Sequence, residues 1–206
     1  SPVLMSRGKP WDERFQYTGY LRWQAERDEE LERRLEAFTS GKRVPVITFG
    51  SVSFDHLQEI MSRFEREWPD GRQIILQSGW AGLSVEMSRD DILVVGSVSH
   101  DQLFRYASCV VHHGGAGTTA SVLHAGVPHI VVPHLGDQMF WAKEIKRLGC
   151  GIEIHKKKWP EQLRQAVSTV TQSPEYAQRA TQCADILAKE NGPATARQLL
   201  EEYANS

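Results

Sequence analysis

Residues 109–125 read CVVHHGGAGTTASVLHA, an apolar run that passes through a glycine loop directly into a helical stretch. That order decides how the chain is read. Glycines 114, 115 and 117 let the backbone turn tightly and bring its N–H groups close to a ligand. Thr118 or Thr119 is placed to cap a helix expected over Thr118–Ala125. Free N–H groups and the positive end of that helix then face one space, an anion site suited to a diphosphate. His113, at the strand edge, can add a ring N–H to a phosphate oxygen. His112 precedes it, and adjacent residues of an extended strand point to opposite faces, so the two cannot both line the site.

The loop has other readings. Tight packing between strand and helix uses the same glycines. Gly115–Ala120 also fits the G-x-G-x-x-A turn of dinucleotide-binding domains, with Asp137 about 20 residues after Gly117 as a ribose ligand. Position argues against that turn, because it belongs near the start of a nucleotide domain and here follows three apolar runs. A Walker loop is excluded, since no Gly-Lys-Ser/Thr follows the glycines.

Outward from the loop, short Val- and Ile-rich runs recur at 44–49, 73–77, 91–95, 129–132 and 151–154. Each is too short for a buried helix and matches a strand buried on both faces. Between and around them fall helical stripes. Leu31, Leu35 and Phe38 form one that Gly41 stops; Phe54, Leu57, Ile60, Met61 and Phe64 form another; Gln138–Leu148 is a third. The last third is helical over Glu161–Val170, Pro174–Lys189 and Ala194–Tyr203, broken by Asn191, Gly192 and Pro193. This alternation predicts an α/β fold, a Rossmann-like doubly wound parallel sheet with helices on both faces. In such sheets ligands sit beyond the carboxyl ends of the strands, so the residues just after each apolar run are the candidates.

The whole chain fits one domain: 206 residues, 40% hydrophobic and 24% charged, is the make-up of an ordinary globular protein. Residues 1–20 carry Pro2, Gly8, Pro10 and Gly19 and no helical period. Residues 1–24 therefore read as an interdomain linker and 25–206 as the domain. A net charge of −2 gives no basic face for nucleic acid, and Lys156, Lys157 and Lys158 read as a solvated loop. Three widely spaced cysteines, 109, 150 and 183, do not suggest a disulfide framework and fit a reducing compartment. No run approaches the roughly 18–20 apolar residues of a membrane span, so a cytoplasmic or at most peripheral membrane location is expected. There is no His-x-x-x-His, Cys-x-x-Cys or Asp-x-Asp, hence no metal is expected, and no Gly-x-Ser-x-Gly for a serine hydrolase.

Six motifs, in order, carry a resemblance: VPVITFGS (44–51), IILQSGW (74–80), VGSVSHDQLF (95–104), HHGGAGTT (112–119), AGVPHIVVPHLGDQMFW (125–141) and ENGPATA (190–196). With them the chain resembles the C-terminal domain of GT-B fold UDP-glycosyltransferases, nearest the sterol glucosyltransferases and bacterial antibiotic glycosyltransferases. The resemblance covers nearly the whole chain. It implies that His113, Gly115, Ala116, Gly117 and Thr118 hold a donor diphosphate, with Gly50 and Ser51 approaching the phosphates. It places Val98 against the base through its backbone, and Asp137 with Gln138 on the sugar hydroxyls. A carboxylate beside a carboxamide suits hydroxyls that need both donors and acceptors. Asp137 is equally placed to cap the helix that follows it. Trp80 either packs in the core or lines the cleft. The histidines at 56, 100, 124, 129, 134 and 155 read as surface or packing residues, with His134 the one nearest Asp137 in sequence.

What the resemblance implies is a UDP-glucose-binding half of an inverting, metal-independent glycosyltransferase acting on a sterol or other lipophilic hydroxyl. Its substrate is the nucleotide sugar, its cofactors none, and its partner an N-terminal acceptor domain that supplies the general base. Peripheral membrane association of the full-length enzyme is compatible with this. A nucleotide-sugar-binding module without transferase activity is the alternative. Two positions depart from the family pattern: Ser99 stands where many relatives have proline before the histidine of the base-binding loop, and no aromatic residue occupies the uracil-stacking place of plant relatives.

Overall fold

Asp28 starts the first helix by accepting the N–H of Leu31 at 3.0 Å on its side chain, and Glu29, Glu30 and Glu32 place negative charge at the positive helix end. This helix, α1 (Glu29–Thr39), buries Leu31 and Leu35 and ends where Ser40 turns left-handed, one residue before the expected stop at Gly41. The computed structural model describes residues 1, 4, 15–22, 25–50, 57–78 and 89–205. Along them follow β1 (Val44–Thr48), α2 (Leu57–Glu67), β2 (Ile74–Gln77), β3 (Ile92–Val95), α3 (His100–Leu103), β4 (Ala107–His112) and α4 (Ala116–Ala125). Then come β5 (His129–Val131), α5 (Gln138–Leu148), β6 (Gly151–Glu153), α6 (Trp159–Gln172), α7 (Pro174–Leu187) and α8 (Gly192–Ala204).

The six strands form one parallel sheet in the order β3-β2-β1-β4-β5-β6. Side chains alternate between its faces. Ile47, Phe49, Ile74, Cys109, Val111 and Ile130 pack against α2 and α6 on one side. Val44, Val46, Ile75 and Val110 pack against α1, α3 and α4 on the other. A third cluster joins Leu123 of α4, Ile145 of α5 and Leu187 of α7. The doubly wound expectation is therefore met, with helices on both faces. Order reverses between β1 and β4, so the helices that follow them leave toward opposite faces and a crevice opens at the carboxyl ends.

The pattern readings differ from the structure in two places. The short helix α3, continued by a 3₁₀ turn over Phe104–Tyr106, lies between β3 and β4 where no helix was read. The helix α4 begins at Ala116 and not at Thr118. Within the stretch read as a linker, Leu4 is buried with the third cluster, and the Tyr20 carbonyl lies so close to Gly192 that a Cβ there would fall 2.3 Å from it. The three cysteines are buried free thiols, and the Cys150 and Cys183 sulfurs lie 3.3 Å apart. Among the described residues no helix is long and apolar enough to cross a membrane.

Candidate functional site

At the switch point the ends of β1 and β4 meet through glycines. Gly50 leaves β1 with φ +58, and a Cβ on it would lie 3.2 Å from His113 Cε1. A Cβ on Gly115 would lie 2.3 Å from His113 Nε2, closer than real atoms approach. The His113 ring thus fits because both its neighbours are glycine. Gly115 is the N-cap of α4 and has no side chain to cap it, so the first amides of the helix keep their hydrogens for a ligand. This corrects the expected Thr118 or Thr119 cap. Both threonines lie in the first turn of α4 and are buried, and Thr118 borders the crevice while Ala116 and Gly117 are exposed.

The crevice has a volume of about 610 Å³ and brings Gly50, Val98, Ala116, Gly117 and Thr118 together. It also takes in residues that pattern reading passed over. Thr48 and Gln77 are the last residues of β1 and β2, paired in register and both buried. Gln77 donates its Nε2–H to the Val98 carbonyl at 2.9 Å, which holds the loop after β3. His100 is stacked at 4.6 Å on Phe104, the packing role expected for it, and also lines the crevice. Tyr20, Leu21 and Arg22 form an outer wall, with Arg22 bonded to Asp101 at 2.5 Å. Polar residues ending apolar runs were the available signal for Thr48 and Gln77. Nothing local announced the wall made by residues 20–22.

Burial lowers the proton affinity of His113 below that of an ordinary histidine, and the Asp137 carboxylate partly offsets this. Among the described residues its buried Nδ1 has no hydrogen-bond partner. A neutral ring with hydrogen on Nε2 leaves that atom as a bare acceptor and aims an N–H over Gly115, beside the α4 amides.

The loop from His134 to Gln138 runs beside the glycine loop, where the Gln138 carbonyl would lie 3.1 Å from a Cβ on Gly114, but neither it nor His113 and Gly115 lines the crevice itself. Asp137 is exposed, has helical backbone angles and makes no capping bond to α5, so the helix-cap reading is not realised. Gln138 is buried, and its Oε1 accepts the N–H groups of His134 at 2.7 Å and Leu135 at 3.2 Å. Its carboxamide N–H groups are what it has left to offer a hydroxyl. Lys156 donates to the His134 carbonyl at 3.2 Å. Ser51, Trp80 and His56 lie outside the described residues. Among the described residues no three His, Cys, Asp or Glu side chains gather to hold a metal ion.

A parallel sheet whose switch point carries a glycine loop, a bare helix end and a clasped imidazole defines a Rossmann-like nucleotide-binding class, to which the C-terminal domain of GT-B glycosyltransferases belongs. The family described as "Erythromycin biosynthesis protein CIII-like, C-terminal domain" matches residues 72–203, more than half of the chain, and the chain belongs to that family. A sterol 3-beta-glucosyltransferase of Vanderwaltozyma polyspora is 34% identical over 227 residues, covering all of this chain and 18% of the relative. Glycosyltransferase GtfE of Amycolatopsis orientalis is 35% identical over 177 residues, covering 84% of this chain and 42% of the relative. The solved glycotransferase of kitacinnamycin superposes with a TM-score of 0.68 at 27% identity, over 79% of this chain and 44% of that one. Spinosyn rhamnosyltransferase SpnG complexed with thymidine diphosphate has the same fold, with a TM-score of 0.65 at 22% identity over 78% and 45%. The chain spans less than half the length of each of these proteins.

Proposed function

We propose that this chain is the donor-holding half of an inverting, metal-independent glycosyltransferase that passes glucose from UDP-glucose to the hydroxyl of a sterol or another lipophilic acceptor. One observation carries the reading: His113 is clasped between Gly50 and Gly115 with Nε2 beside the uncapped first turn of α4. As the bond between the anomeric carbon and the diphosphate breaks, negative charge grows on the leaving phosphate. Backbone N–H groups already aimed at that oxygen, with the His113 N–H, stabilise it without reorganising. Val98, Gly50 and Ser51 are assigned to the nucleoside and phosphate end. Asp137 and the Gln138 N–H groups are assigned to the sugar. The general base that takes the acceptor proton is assigned to a domain outside this chain. The sterol glucosyltransferase relative supports glucose and a sterol hydroxyl, and the thymidine diphosphate complex of SpnG supports a nucleoside diphosphate in the crevice.

Calorimetric titration with UDP, UDP-glucose and dTDP tests this. UDP should bind saturably, His113→Ala should weaken it tenfold or more, about 1.4 kcal/mol, and Asp137→Ala should remove only the preference for UDP-glucose over UDP. No binding of any nucleotide, including by the full-length protein, would refute the donor assignment. Binding without transfer by the full-length protein would leave a nucleotide-sugar-binding module.

A further inference from the structure

His112 is fully buried at the carboxyl end of β4, and its ring points away from the space between Gly50 and Gly115 that holds the His113 ring. Its Nδ1 accepts the backbone N–H of Gly114 at 3.1 Å, across the first turn of the glycine loop. An amide nitrogen is only a donor, so Nδ1 carries no hydrogen and the neutral ring has its hydrogen on Nε2. His112 Nε2 lies 3.0 Å from Nδ1 of His129, the first residue of the neighbouring strand β5. The His112 hydrogen therefore points at His129, whose Nδ1 is an acceptor and whose own hydrogen sits on Nε2. Among the described residues that last N–H is buried without a partner. Each link fixes the next, starting from a backbone amide that cannot change role.

From this geometry we infer that the His112–His129 pair is a positioning device: it holds the glycine loop in its anion-binding shape from beneath, rather than touching the ligand. The inference rests on the donor reading above, because the loop it holds is the diphosphate loop. Gly114 is the residue the device anchors, with φ +88 and no room for a Cβ, which would lie 2.8 Å from Val131 Cγ1. Anchoring its N–H keeps that amide out of the ligand site and leaves the amides of α4 to bind. Burial keeps both rings neutral, His112 with proton affinity well below the ordinary value and His129 pushed down to about 3. The hydrogen-bond roles are accordingly constant across the working range of pH.

The test pairs a spectroscopic signature with two substitutions. Long-range proton–nitrogen correlation spectra of the histidine-labelled protein should show His112 with a bare Nδ1 and a protonated Nε2. His112→Asn places a carboxamide oxygen near the Nδ1 position and should keep UDP affinity within about threefold. His112→Leu removes the acceptor and should lower UDP affinity tenfold or more, with unfolding midpoints recorded for both variants. A protonated Nδ1 on His112, or folded His112→Leu protein binding UDP as the parent does, would overturn the inference. If His112→Leu does not fold, the tautomer and the Asn rescue still decide it. Failure of the parent protein to bind UDP would instead strike the donor reading, leaving the tautomer to judge the histidine pair.

Discussion

The proposed donor site has two rims, the glycine loop at 113–117, which borders the crevice, and the loop at 134–138, which lies beside that loop, and they are built in opposite ways. Both contain a glycine with positive φ, Gly114 at +88 and Gly136 at +58. Around Gly114 there is no free space: Val131 Cγ1 and the Gln138 carbonyl would meet a Cβ at 2.8 and 3.1 Å. Around Gly136 nothing lies within 4 Å, and its neighbours Leu135, Asp137, Met139 and Phe140 are exposed. The rim assigned to the phosphates is set by packing from below, whereas the rim assigned to the sugar hangs on the Gln138 side chain. Under the proposed function, a pocket for a constant diphosphate can be rigid, while a rim assigned to the sugar keeps open sides.

Substitutions can break this comparison. The largest effect expected is for Gly114→Ala, where left-handed strain of about 1–2 kcal/mol adds to overpacking of about 1–3 kcal/mol, roughly 2–5 kcal/mol of stability in all. Gly136→Ala should cost only the strain, about 1–2 kcal/mol. Denaturant unfolding of the two variants compares them directly, and equal losses would mean the rims are equally packed. Between these lies Gln138→Ala, which leaves the part-buried amides of His134 and Leu135 without their acceptor. A loss of about 1–3 kcal/mol is expected, with weaker UDP-glucose binding and little change for UDP.

The smallest effect joins the two rims through charge. In the free protein burial depresses the proton affinity of His113, and a bound diphosphate raises it again. The bound state then holds more proton than the free state. UDP-glucose affinity should therefore rise as pH falls through the bound-state pKa and level off below the free-state one, by less than tenfold per pH unit. Titration in two buffers of different ionisation enthalpy should show fractional proton uptake that disappears in His113→Gln. Asp137→Asn removes the carboxylate that raises His113, so the uptake should move to lower pH. An unchanged profile would mean that the two rims do not feel each other.

Much of this was legible in the chain itself. Strand runs at 44–49, 73–77 and 129–132 appear within a residue or two of their read positions, since buried parallel strands leave an unbroken Val and Ile signature. The glycines at 114, 115 and 117, with His113, mark the rim assigned to the phosphates because a strand, a glycine turn and a helix start leave only one place for the free amides. Gln138, expected on the sugar hydroxyls, also holds two amides of its own loop through Oε1. Nothing in the sequence distinguishes an amide turned inward from one turned outward. The helix α3 that carries His100 is not legible because it spans only four residues, too short to leave a period.

What the sequence by itself determined is the class of fold, the order of its strands and the glycine loop proposed to meet the anion, because all three rest on local periodicity and on glycine's freedom. Only the tertiary structure decided which groups stand around that loop: Gly50 against His113, Gln77 under Val98, and His129 behind His112. Those pairs are 63, 21 and 17 residues apart in the chain. They meet because parallel strands distant in sequence lie side by side, about 4.8 Å apart, in the sheet.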